Sequence, residues 1–147
     1  MAAPVPAPRR QDYYPRPEAE RQIIRHKAFA LGTDTVDEAA FDMDVLDYDF
    51  HLFTELGTGQ DSVLYRAGPA GYRLAQPTPP RTEELAACRL PLTVSTQPAP
   101  RLTTEEAIHR LGLIDLPFLF YVDAATGRSS VLYHRYDGHY GLITPGG

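Results

Sequence analysis

Two stretches of this chain say the same thing twice. Thr58-Gly59 and Ser62-Val63-Leu64-Tyr65 return as Thr126-Gly127 and Ser130-Val131-Leu132-Tyr133, both displaced by 68 positions. Without a gap, the same displacement carries Thr35 onto Thr103, Glu38-Ala39 onto Glu106-Ala107, Asp47 onto Asp115 and Phe50 onto Phe118. It also carries Tyr72 onto Tyr140, Leu74 onto Leu142 and Pro77 onto Pro145. A tandem duplication within 147 residues makes each unit very small. A module of roughly 55 residues buries only about 60% of the surface its unfolded chain exposes, so each copy is marginal alone.

Each copy parses as β-α-β-β-β, which gives an α+β fold of two tandem repeats. Residues 1–21 are rich in Pro and Ala and read as a flexible linker or tail. Repeat one is expected over 22–78 and repeat two over 84–145. Ile23 to Leu31 alternates as a strand. Thr35 with Glu38, and Thr103 with Glu106, are capping boxes that start a helix. Val36, Ala39, Ala40, Met43 and Leu46 then fall on one helical face, as do Ala107, Ile108, Leu111 and Ile114. Strands follow at about Phe50–Thr54, Ser62–Arg66 and Tyr72–Ala75, and in repeat two Asp137-Gly138 marks the last hairpin turn.

The strands are apolar on both faces, as Phe118-Leu119-Phe120-Tyr121 and Val131-Leu132-Tyr133 illustrate. One face covers the unit's own helix and the other needs a second cover. The other copy is the nearest candidate, so the repeats are expected to pack as an intramolecular pseudo-dimer sharing one core, and the chain to be a monomer. Phe50, Phe53, Tyr65, Phe118, Phe120 and Tyr133 are the expected pairing and core aromatics. Cys88, Leu90 and Leu92 are expected on one buried face of the first strand of repeat two.

Charge narrows the range of partners. The chain carries a formal net charge of −5, and the nine acidic residues between Thr33 and Asp61 have no Lys or Arg among them. That lobe repels a phosphate backbone, so nucleic acid contact is expected only from repeat two, through Arg101, Arg110, Arg128 and Arg135, or from the tail. Phe41 lies off the apolar helix stripe on an acidic helix and is a candidate protein contact. No apolar run is long enough to span a membrane, the start does not read as a signal peptide, and the single Cys88 supports neither a disulfide framework nor a cysteine zinc site. A cytoplasmic setting is expected.

No catalytic constellation emerges. Ser129, Ser130, His134 and Asp137 offer triad residue types, but a strand histidine and a turn aspartate do not make triad geometry. Asp42-x-Asp44-x-x-Asp47-x-Asp49, with His51, points in several directions from a helix and reads as a solvated acidic face. Gly57-Thr58-Gly59 lacks the following helix and Lys of a phosphate cradle. Neither metal nor cofactor is expected, and the chain is not expected to be an enzyme.

The closing run Val131-Leu132-Tyr133-His134-Arg135-Tyr136-Asp137-Gly138-His139-Tyr140-Gly141-Leu142-Ile143-Thr144-Pro145 resembles the V-x-Y-R-R-x-D-G-x-Y-G-L-I-x-P close of a known domain. That domain is the C-terminal one of long ribosome hibernation promoting factors, the S30AE or sigma-54 modulation proteins. Glu105-Glu106-Ala107 fits the same pattern, as do Lys27, Phe29, Leu31, Asp37-Glu38-Ala39, Met43, Asp49-Phe50, Phe53 and Val63-Leu64-Tyr65-Arg66 in repeat one. Repeat one departs at Pro69 to Ala75, and repeat two at Pro91 and Ser95 to Pro100. The resemblance implies a tandem pair of such C-terminal domains without the family's N-terminal domain, which occupies the decoding region of the small subunit. It implies a ribosome-associated hibernation or stress role, with the small subunit as partner. The alternative is a dimerisation or adaptor module without ribosome contact.

Overall fold

Both helices begin where their capping boxes place them. The Thr35 hydroxyl accepts from the Glu38 amide (3.1 Å) while Glu38 accepts from the Thr35 amide (2.8 Å), and Thr103 and Glu106 repeat the exchange. Helix α1 spans Val36–Leu46 and helix α2 spans Thr104–Leu113. The computed structural model describes residues 21–29, 31–67, 71–114, 117–135 and 137–145. The tail expected over residues 1–21 therefore lies outside the described residues, save Arg21. The strands are β1 (Ile23–Phe29), β2 (Thr33–Asp34), β3 (Phe50–Glu55), β4 (Asp61–Ala67), β5 (Gly71–Ala75), β6 (Leu92–Val94), β7 (Arg101–Leu102), β8 (Phe118–Asp123), β9 (Ser129–His134) and β10 (Tyr140–Pro145). A 3-10 turn, Thr82–Glu84, precedes β6.

The strands form two five-stranded sheets, in the orders β2-β3-β4-β5-β6 and β1-β10-β9-β8-β7. The α+β class and the repeat are thus both present, but the repeats as read from sequence are not the compact units. One unit is Leu31–Ala99; the other joins Pro100–Gly147 to the segment holding Ile23–Phe29. Strand β1, the first of repeat one, lies parallel to β10 of repeat two, with His26 opposite Leu142 and Lys27 opposite Ile143. Strand β6, the first of repeat two, lies parallel to β5 of repeat one. Each repeat lends its opening strand to the sheet of the other.

Chain length explains the exchange. To sit at the β5 edge of its own repeat, β1 would stand four strand positions from β2. Four spacings amount to about 19 Å, whereas the four Cα steps from Phe29 to Thr33 reach at most about 14 Å. The six residues Ser95 to Pro100 give β6 more slack. Its own edge, however, is taken by β1.

Each unit has its own helix-side core. Val36, Ala39, Ala40 and Met43 of α1 pack on Phe53, Leu64 and Leu74, with Leu85, Cys88, Leu90 and Leu92 at the margin. Ala107 and Leu111 of α2 pack with Leu102, Leu119, Tyr121, Leu132, Tyr140 and Leu142, joined by Ile23. Cys88 is therefore not in a strand, since the ladder begins only at Leu92; it lies half-buried against the core of the Leu31–Ala99 unit. Leu46, expected on the buried stripe, is 46% exposed at the last turn of α1. The Arg135 amide donates to the His139 carbonyl, and Gly138 turns with φ 85, closing the β9–β10 hairpin at the expected place.

Candidate functional site

Strand alternation sorts the six expected pairing aromatics. Phe50 lies opposite Tyr65 and Phe118 opposite Tyr133, while Phe120 pairs with Val131. These five aromatics project from the sheet faces opposite the helices, because successive side chains on a strand alternate. Phe53 does not belong with them: its face carries α1 and it sits in the helix-side core. Phe50, Phe118, Phe120 and Tyr133 are buried and Tyr65 is half-buried.

The expected partner contacts separate into two kinds. Phe41 is 67% exposed and Val45, one turn on, is 65% exposed, which makes an apolar ridge along α1. Carboxylates border it, but several of them are committed elsewhere. Asp37 accepts from the Arg89 and Leu90 amides, at 2.9 and 3.3 Å. Asp44 accepts from Arg66 at 3.0 Å and from the Tyr72 hydroxyl at 3.0 Å. Glu55 leaves the acidic face altogether: fully buried, it accepts from the amides of Gly57, Thr58 and Ala86 and from the Thr58 hydroxyl, at 2.7–3.0 Å. Burial pushes its carboxyl up, but these donors outweigh burial and hold it below the ordinary value.

Arg101, Arg110 and Arg128 are exposed. Topology brings two of them to one end of a sheet: Arg101 lies opposite Val122 in β7, and Val122 pairs on its other side with Ser129, next to Arg128. Arg110 stands in the last turn of α2. Arg135 differs from the other three, being half-buried and held by Asp137 at 3.2 Å within the hairpin.

The repeats diverge around one shared tyrosine. Asp44, Arg66 and Tyr72 form a polar clamp between α1 and its sheet. Repeat two has Gly112, His134 and Tyr140 there. With no carboxylate to reach, Tyr140 is fully buried and the His134 ring lies against it, centroids 5.7 Å apart. Burial, and then the charge of Arg21, push His134 down to about 4. Asp137, the triad-type carboxylate, accepts from Arg135 and from the His139 amide (3.0 Å).

The acidic run of α1 is also split by the fold. Asp47 caps the helix in the left-handed region, with φ 55. Asp42 instead meets Asp34 of β2 and His51 of β3, with ligand atoms of all three within 4.8 Å of one another. Residue spacing along the helix gave no sign of this group, because only the fold brings β2 beside β3 under α1. Among the described residues, no helix is long and apolar enough to cross a membrane.

Comparison with known proteins matches both repeats. The family model described as Sigma 54 modulation/S30EA ribosomal protein C terminus matches residues 18–74 and 93–142. A "Dormancy associated translation inhibitor" of Mycobacterium tuberculosis is 47% identical over 135 residues, covering 88% of this chain and 50% of that protein. A "Ribosome hibernation promotion factor" of Picosynechococcus is 34% identical over 61 residues, 42% of this chain and 32% of that one. The chloroplastic "Ribosome-binding factor PSRP1" of Spinacia oleracea is 32% identical over 78 residues, 53% of this chain and 25% of that one. The chain thus spans half the length of the mycobacterial relative and less of the other two.

Proposed function

The chain belongs to the Sigma 54 modulation/S30EA ribosomal protein C-terminus family, and on that premise we propose that it is a non-enzymatic, cytoplasmic, ribosome-associated module of a hibernation factor that helps to hold ribosomes translationally inactive under stress. The observation that carries this reading is the match of both repeats to the family model, with 88% of the chain aligned to half of a protein named a translation inhibitor.

The small subunit is the partner in this reading. Any contact with rRNA comes through Arg101, Arg110 and Arg128, since these are exposed and belong to the unit that does not contain the acidic segment. The Phe41–Val45 ridge, bordered by carboxylates, suits a basic protein surface instead. A monomer is part of this reading, because the duplication supplies a second unit within the same chain.

Co-sedimentation of the 147-residue chain with purified ribosomes and separated subunits tests the proposal. The expected result is salt-sensitive pelleting with the small subunit, weakened by Arg110→Glu with Arg128→Glu. A chain that stays in the supernatant with both subunits favours the adaptor reading, for which the exposed Phe41 ridge is the specific observation.

A further inference from the structure

Three side chains of the Leu31–Ala99 unit stand where the other unit keeps its core and its helix charge. Displaced by 68, Asp34, Asp42 and His51 correspond to Leu102, Arg110 and Leu119. Leu102 and Leu119 are buried in the core beneath α2. Repeat one therefore carries a carboxylate and an imidazole at two positions that are apolar core in its sister, and a second carboxylate at a position of opposite charge. All three are half-buried. Replacing core leucines by such groups is costly unless they are given partners.

Among the described residues, no Lys or Arg pairs with them. Thr33 to Asp61 contains no Lys or Arg, and Arg66, the next cation along, is bound to Asp44. Among the described residues, neither Asp34 nor Asp42 has an ion pair, and Glu38, whose charge also bears on Asp34, is spent on the capping box. The His51 ring is fixed between Tyr48 and Phe53, stacked on both at centroid distances of 6.3 and 6.0 Å. An imidazole with two carboxylates converging on it, their ligand atoms within 4.8 Å of one another, is a donor set whose chemistry suits a cation.

We propose that Asp34, Asp42 and His51 form a divalent transition-metal site that takes Zn²⁺ through two carboxylate oxygens and one imidazole nitrogen, with water completing the shell. The imidazole selects zinc over magnesium and calcium, which prefer all-oxygen sites. Because the ligands come from β2, α1 and β3, the ion ties the helix to the edge of its sheet. The site belongs to repeat one alone and owes nothing to ribosome binding.

The test is isothermal titration of the metal-stripped 147-residue chain with ZnCl2, MgCl2 and CaCl2. The expected result is one Zn²⁺ per chain, with Mg²⁺ and Ca²⁺ at least tenfold weaker. The variant Asp34→Leu/Asp42→Arg/His51→Leu carries the side chains that the sister repeat accommodates, and it should bind Zn²⁺ at least tenfold more weakly. Should circular dichroism find that variant unfolded, His51→Asn decides by the same criterion. Glu83→Gln, an exposed carboxylate outside the site, should leave binding unchanged. Zinc uptake that is absent from the wild-type chain, equal in the folded site variants, or weakened as much by Glu83→Gln overturns the proposal.

Discussion

The ring of Tyr133 lies across Gly141, its cross-strand neighbour, and fills the space in which a side chain at 141 would begin. The glycine is required here for room. In repeat one Arg73 stands opposite Tyr65 at the equivalent pair, so no such ring-over-backbone contact is built there. Gly141→Ala should overpack this face and cost about 1–3 kcal/mol, read as a lowered denaturation midpoint with an unchanged slope. Unaltered stability would mean that the ring moves aside freely.

The His134 imidazole gives the fold a pH dependence of definite sign. Its value falls from the ordinary 6.5 to about 4 on folding. Between those values the unfolded chain binds more protons, so stability from this group is complete above about 6.5 and declines as pH falls toward about 4. The span is at most about 3 kcal/mol, reduced by solvent screening of the partly accessible ring. His134→Gln should flatten the loss between pH 7 and 4.5 in urea titrations of the two proteins; an identical slope in both would contradict the assignment.

Tyr140 buries a hydroxyl that has no hydrogen-bond partner among the described residues. Tyr140→Phe should therefore be neutral or stabilising by up to about 1 kcal/mol. Tyr72→Phe, at the equivalent place in repeat one, removes a hydrogen bond to Asp44 and should cost about 1 kcal/mol. The opposite ranking of the two melting temperatures would show that the divergence between the repeats has been misread.

Glu55 fastens the connector between the repeats to the sheet of the first, through the Ala86 amide at 2.9 Å. Gly57 lets the chain pass close: a Cβ there would collide with the backbone of Glu84, Leu85 and Ala86. Glu55→Ala leaves buried amides unsatisfied and should cost about 3 kcal/mol by chemical denaturation. Because the donors hold the Glu55 carboxyl below its ordinary 4.5, its contribution is present above that pH and disappears as the carboxylate protonates under more acid conditions.

Residues 22–78 and residues 84–145, made as separate chains, should each fold poorly and should recover when mixed. Each would carry the strand meant for the other and lack its own edge. Two separately folded halves with no gain on mixing, followed by circular dichroism and gel filtration, would refute this.

Local signals on the sequence were sufficient for the helices, because a capping box acts over three residues and Thr35–Glu38 and Thr103–Glu106 state it twice. The Asp137-Gly138 turn was legible for the same reason. Strand partnership was not: Ile23 to Phe29 reads as a strand in isolation, and nothing local says that its neighbour is Tyr140 to Pro145. The length of the link to β2 decides it, and that matters only once sheet order is known. Phe53 was grouped with Phe50 because both are strand aromatics; an odd or even position along β3 separates them. Asp34, Asp42 and His51 meet only through the fold, so a search for ligand spacing along one helix passes over them.

Exchange of the opening strands also sets a timetable for synthesis. As the chain leaves the ribosome, Ile23 to Phe29 emerges well before the strand it pairs with, Tyr140 to Pro145. The sheet of the first unit waits for Leu92 to Val94 before its edge is closed. Nascent chains therefore carry β1 unpaired until β10 has emerged, and a message slowed or truncated between the two releases a product with an open sheet edge.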